Sequence, residues 1–111
     1  MRRFGVAFLT LSLAGPALGQ EALDLFVKPE KGHCIACHQL PAGVGPGAAL
    51  NDLGPKLEGE RMRALGKAGI REIVEDPTKR NPDSVMPPYG HHRILDASEI
   101  DRIAEFLHAL P

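Results

Sequence analysis

Two cysteines and a histidine stand together as Cys34-Ile35-Ala36-Cys37-His38, and the chain has no other cysteine. Thiols three residues apart lie about one helical turn from each other. Both can therefore reach the two vinyl groups on one edge of a haem, and the histidine that follows is placed to meet the iron from the same face. Three other readings explain less. A disulfide over so short a span closes almost no loop and contributes little. A redox dithiol of the thioredoxin kind belongs in a βαβ context, which is absent here. A structural zinc site needs four ligands, and the fourth is not identified. The spacing predicts one covalently attached haem c, held by Cys34 and Cys37, with His38 as an axial iron ligand.

The second axial position has few candidates. Met62 lies in the charged stretch Glu60-Arg61-Met62-Arg63 and is expected to face solvent from a helix. Met86 lies in Val85-Met86-Pro87-Pro88-Tyr89, where two prolines stiffen the chain and leave the thioether little entropy to lose. Met86 is the predicted ligand, and His91 or His92 is the alternative. His33 is expected to point outward. A His/Met pair raises the reduction potential and fills both axial positions, which favours electron transfer over chemistry on a substrate at the iron. The second ring nitrogen of His38 needs a partner, usually a carbonyl, and the Gly54-Pro55 loop offers the one on Pro55.

The elements that must position these residues read as helices joined by long loops. Pro29–His38 is expected to form a first helix, with Ala22–Val27 a separate short turn or helix before it. From Leu40 to Pro55 seven glycines and prolines in sixteen residues exclude a helix or a central strand. Met62–Asp76 has apolar residues on one side and stops at Pro77, and Thr78–Gly90 is a second loop. In the last helix Ser98 is the expected cap, with Asp101 three residues on. Ile100, Ile103, Ala104, Leu107 and Leu110 follow at helical spacing, with Phe106 beside them. No run reads strongly as a strand, so the fold class is all-α.

Residues 1–19 carry the marks of a secretory signal peptide: Arg2-Arg3, eight apolar residues between Phe4 and Ala14, and small residues at Ala17 and Gly19. Cleavage is expected before Gln20, leaving one domain at 20–111. The apolar run is too short for a membrane span. Haem attachment of this kind takes place outside the cytoplasm in bacteria, so the expected location is the periplasm. The whole chain has a formal charge of −1, and loss of the two leader arginines takes it to −3. That balance excludes a nucleic-acid footprint and a polybasic membrane patch. A domain this small often needs a cofactor to complete its core.

Between Lys31 and Leu110 the sequence resembles the class I cytochromes c, and within them the X subunit of the SoxAX sulfur-oxidation cytochrome. Four stretches carry the resemblance: Gly32–His38, Leu53–Leu57, Gly69–Pro77 and Asn81–Gly90. The most specific is Asn-Pro-Asp-Ser-Val-Met-Pro-Pro-Tyr after a helix ending in Glu-Asp-Pro. The resemblance implies a small cytochrome fold wrapped around one haem. It puts the thioether positions on Cys34 and Cys37 and the axial ligands on His38 and Met86. It further implies a heterodimer with a SoxA-like catalytic subunit carrying one or two haems. Such a complex is an L-cysteine S-thiosulfotransferase, joining thiosulfate to a cysteine of a SoxYZ-like carrier. Electrons would pass through this chain to a downstream cytochrome c. No third cysteine is present, so no catalytic cysteine is expected here. The alternative is a free-standing periplasmic cytochrome shuttling between respiratory partners; the scattered lysines (Lys28, Lys31, Lys56, Lys67, Lys79) give no docking ring for it. The segment ahead of the motif is short, from which a reduced N-terminal helix and a reduced contact between first and last helices are expected. An apolar partner-facing patch is expected around Val44 to Leu50.

Overall fold

The last helix organises the others. In a computed structural model of the chain, residues 4–10, 16–46 and 52–111 are described, with side chains in the first helix from Gly19 onward. Among them are three α-helices and no strand: α1 (Pro16–Val27), α2 (Gly59–Glu75) and α3 (Ala97–His108). Single 3-10 turns at Cys34–Ala36 and Pro77–Lys79 punctuate the connections. α3 packs against both α1 and α2. Its apolar stripe, Ile100, Ile103, Ala104 and Leu107, is fully buried, and Leu110 beyond its end joins the same core. From the other elements come Leu25 and Phe26 of α1, Ile70 and Val74 of α2, and Leu40, Leu57 and Leu95 of the loops.

Several local expectations differ from what the fold adopts. α3 is capped by Asp96 rather than Ser98. The Asp96 carboxylate accepts the Glu99 amide at 2.8 Å, and the Glu99 side chain accepts the Asp96 amide at 3.1 Å, a reciprocal capping box. Asp101 instead pairs with Arg71 of α2 at 2.5 Å. No helix covers Pro29–His38. His33 adopts a left-handed backbone (φ 48°), which breaks any helical path, and only the 3-10 turn at Cys34–Ala36 follows. Ala22–Val27 is the packed end of α1, not a separate element.

α2 begins at Gly59, three residues before the expected start, and ends at Glu75, one before the expected end. It is kinked at Gly66, whose φ of 72° suits a residue without a Cβ. Met62 does not face solvent: it is 4% exposed and sits in the core. Charged neighbours on the outer face of a helix do not determine where every residue between them points, because the apolar stripe recurs with period 3.6.

The contact between the first and last helices is not reduced. Residues 20–27 of α1 lie beyond the expected cleavage point, and Phe26 among them meets Phe106 of α3 with ring centroids 6.3 Å apart at a 58° tilt. Arg102 of α3 also reaches Glu21 of α1 at 3.6 Å. Ala22, Leu25 and Phe26, the buried residues of α1, all follow the expected cleavage point before Gln20. The proposed patch around Val44 to Leu50 falls partly on residues 47–51, which lie outside the described residues.

Candidate haem-binding site

Three separate stretches of chain converge on a solvent-open cleft. His33, Cys34, Cys37 and His38 come from the motif. Leu53 and Gly54 come from the glycine- and proline-rich loop, and Val85, Met86, Pro87 and Tyr89 from the loop after α2. At its mouth Leu53 and Val85 are 70% and 81% exposed.

The motif is folded by its own backbone. Cys37 and His38 both donate to the Cys34 carbonyl, at 3.2 and 2.9 Å, a tight turn that gathers the three side chains at one place. Both cysteines are free and half-buried. Burial pushes the Cys34 thiol up to about 12. A protonated thiol is the opposite of the depressed pKa on which a Cys-x-x-Cys redox pair depends. Gly54 donates its amide to the Cys37 carbonyl and Leu57 to that of Gln39, both at 2.9 Å, so the loop is strapped along the motif. That strap brings the Pro55 carbonyl oxygen to 2.7 Å from His38 Nδ1. A carbonyl only accepts, so Nδ1 carries a proton, and in the neutral ring Nε2 then keeps its lone pair. A Cβ at Gly54 would overlap Nδ1, Cε1 and Nε2 of this ring. Only glycine lets the loop come this close to the imidazole.

Met86 is held by a chain of short turns. Asn81 accepts from the Asp83 amide through its side chain (3.1 Å) and from the Ser84 amide through its carbonyl (3.0 Å). The Ser84 hydroxyl accepts the Met86 amide at 3.3 Å. After the two prolines, Tyr89 is buried, and its hydroxyl donates to the Gly32 carbonyl at 2.6 Å. Burial, with the two cysteines close by, raises the Tyr89 phenol to about 12. His91 and His92 are exposed and do not line the cleft, and Met62 is in the core. His33, expected to point outward, is half-buried in the cleft wall. Sequence reasoning also missed Tyr89. The signal was available, because a tyrosine packed into a small core needs a partner for its hydroxyl.

These residues fit a haem. The cleft offers an imidazole with one fixed N–H and one free lone pair, a thioether, and two adjacent thiols, with no carboxylate in its lining. Among the described residues no three His, Cys, Asp or Glu side chains are placed to hold a bare metal ion. Three helices and no strand among the described residues, packed beside such a cleft, define a small all-α cytochrome c domain. The chain belongs to the family described as cytochrome C oxidase, cbb3-type, subunit III, whose model matches residues 17–107. Membership implies binding of haem c and a role in electron transfer.

Among curated proteins the chain is 32% identical over 79 residues to an "uncharacterized lipoprotein" of Aquifex aeolicus (strain VF5). That match takes in 71% of this chain but 37% of the relative, so the chain spans little more than a third of that protein's length. Among solved structures it is similar to a chain of the crystal structure of SoxXA from P. pantotrophus, with a TM-score of 0.65 and 23% identity. The match covers 82% of this chain and 80% of that one. This second likeness is one of fold. No helix among the described residues is long and apolar enough to cross a membrane.

Proposed function

We propose that this chain is an exported monohaem cytochrome c that carries electrons as the SoxX-like subunit of a SoxAX-type complex. Cys34 and Cys37 would hold the haem through thioether bonds, and His38 Nε2 and the Met86 sulfur would ligate its iron. One observation carries this reading of the site: His38, with its Nδ1 engaged by the Pro55 carbonyl, lines the same cleft as Met86 and both cysteines. The haem, when bound, supplies a reversible one-electron change at iron. The Pro55 carbonyl orients the imidazole and raises its basicity. Met86, held on its proline-stiffened loop, would keep other ligands from the iron.

The sulfur-oxidation role rests on the Asn81–Tyr89 motif and on the likeness of fold to SoxXA. The partner in this reading is a SoxA-like subunit, and the cysteine that receives thiosulfate belongs to a SoxYZ-like carrier. Joining a thiol to thiosulfate releases one proton and two electrons, whereas a single haem iron takes one electron at a time. A monohaem chain therefore has to hand each electron to a downstream cytochrome c before accepting the next. In this reading residues 1–19 are a cleaved leader and the protein works in the periplasm.

The test is purification of the periplasmic protein, a haem-stained denaturing gel, and spectra of the oxidised and reduced forms. Haem that stays with the denatured chain and a methionine–iron band in the oxidised spectrum are expected, together with a copurifying second haem protein. A colourless chain would overturn the site. A haem-bearing chain that purifies alone and transfers electrons between respiratory cytochromes would overturn the sulfur-oxidation role in favour of a free-standing shuttle.

A further inference from the structure

We infer that Tyr89 is a positioning residue for the Met86 ligand, acting through its hydroxyl on the backbone of the motif; this rests on the axial pair proposed above. Tyr89 is buried, lines the cleft, and donates to the Gly32 carbonyl at 2.6 Å. Among the described residues this is the one hydrogen bond that joins residues 29–40 to the loop at 80–95. The two segments that carry the ligands are thus clamped to each other at a single polar point.

Both sides of the clamp are stiff. From Gly32 the chain runs through His33 into the 3-10 turn, where Cys37 and His38 share the Cys34 carbonyl. From Tyr89 back to Met86 there are only Pro88 and Pro87, whose φ angles are set by their rings. The backbone of Tyr89 is anchored as well, since its carbonyl accepts from Ile94 at 2.9 Å and Leu95 at 3.0 Å. A fixed tyrosine backbone and a fixed hydroxyl leave the two-proline strut to Met86 little freedom to swing away from the cleft. The hydroxyl has a second reason to stay engaged. In so apolar a setting, an unpartnered O–H and an unpartnered Gly32 carbonyl would each carry a desolvation penalty. Loss of the donor therefore loosens the Met86 loop specifically, while the helical core is left as it was.

Tyr89→Phe removes the donor and keeps the ring. The experiment titrates the oxidised holoprotein with imidazole, which competes with Met86 for the iron, and follows loss of the methionine–iron band. A net hydrogen bond of about 1 kcal/mol corresponds to roughly fivefold, so imidazole is expected to displace Met86 at about three- to tenfold lower concentration in Y89F. The control is Arg63→Met, which removes the 2.8 Å hydrogen bond from Arg63 to the Leu110 carbonyl, away from the cleft lining. It is expected to lower the unfolding midpoint and leave the imidazole titration in place. An unchanged titration in Y89F overturns the inference, and so does an equal shift in R63M, which would mark a general loss of stability. A wild-type spectrum without methionine ligation overturns the axial pair itself, and the inference with it. Wild-type methionine ligation with an unchanged Y89F overturns the inference alone.

Discussion

The Nδ1 of His38 and the carbonyl oxygen of Pro55 stand 2.7 Å apart, across seventeen residues of chain. The relationship depends on the residue between the loop and the ring. Gly54 passes so close to the imidazole that any Cβ there would overlap it, and the Gly54 amide is itself tied to the Cys37 carbonyl. The orientation of the histidine is thus set by a neighbour with no side chain.

Gly54→Ala should therefore displace the His38 ring or the loop. A loss of about 1–3 kcal/mol in unfolding free energy is expected, as for overpacking of a close contact, together with an altered haem spectrum in the holoprotein. Thermal unfolding and visible spectra check this. Wild-type values for both would show that the loop yields without disturbing the ring.

Met86→Ala should abolish the methionine–iron band and let carbon monoxide bind the reduced protein, since the sixth position is then open. Because Met86 is only half-buried, the packing loss should fall at or below the lower end of the 2–5 kcal/mol range for buried Met to Ala. A retained band would point to another thioether on the iron, with Met62 the next to replace.

The contact between α1 and α3 should account for a large part of the domain's stability. Phe26 is 1% exposed, and Phe26→Ala is expected to cost about 3–5 kcal/mol. Phe106, its partner on α3, is only half-buried and should cost less when truncated. Denaturant unfolding of the two variants gives the comparison. Equal losses would mean that the rings matter chiefly to each other.

The turn after α2 should be acid-sensitive in a defined direction. The Thr78 hydroxyl, at 2.5 Å, is the main reason the Asp76 carboxyl titrates below its ordinary 3.8, with the Thr78 amide, His91 and Lys79 adding to it. A carboxyl with a lowered folded pKa contributes stability that is fully present above its unfolded pKa and is lost as the pH falls through the folded value. Thr78→Val should move the Asp76 midpoint up toward 3.8, read by NMR titration. The stability difference between the proteins should vanish at strongly acid pH. An unmoved midpoint would assign the shift to the other charges.

What the sequence by itself determined is what short-range chemistry determines. The spacing Cys34-x-x-Cys37-His38 needs one turn of backbone, and the stripe from Ile100 to Leu110 needs only the helical period, so the all-α class and the last helix were legible directly. Met86 stood out because prolines follow it. Tertiary structure decided what depends on neighbours distant in the chain. The capping box of α3 joins residues only three apart, Asp96 and Glu99, but tertiary structure gave Glu99 its second partner, Lys31 at 2.9 Å. It buried Met62, turned His33 into the cleft wall, and completed α1 by giving Phe26 a partner eighty residues away. The hydroxyl of Tyr89 found its acceptor across fifty-seven residues. Such pairings are chosen by the packing of the whole core, because a buried polar or aromatic group takes the partner that the fold brings to it.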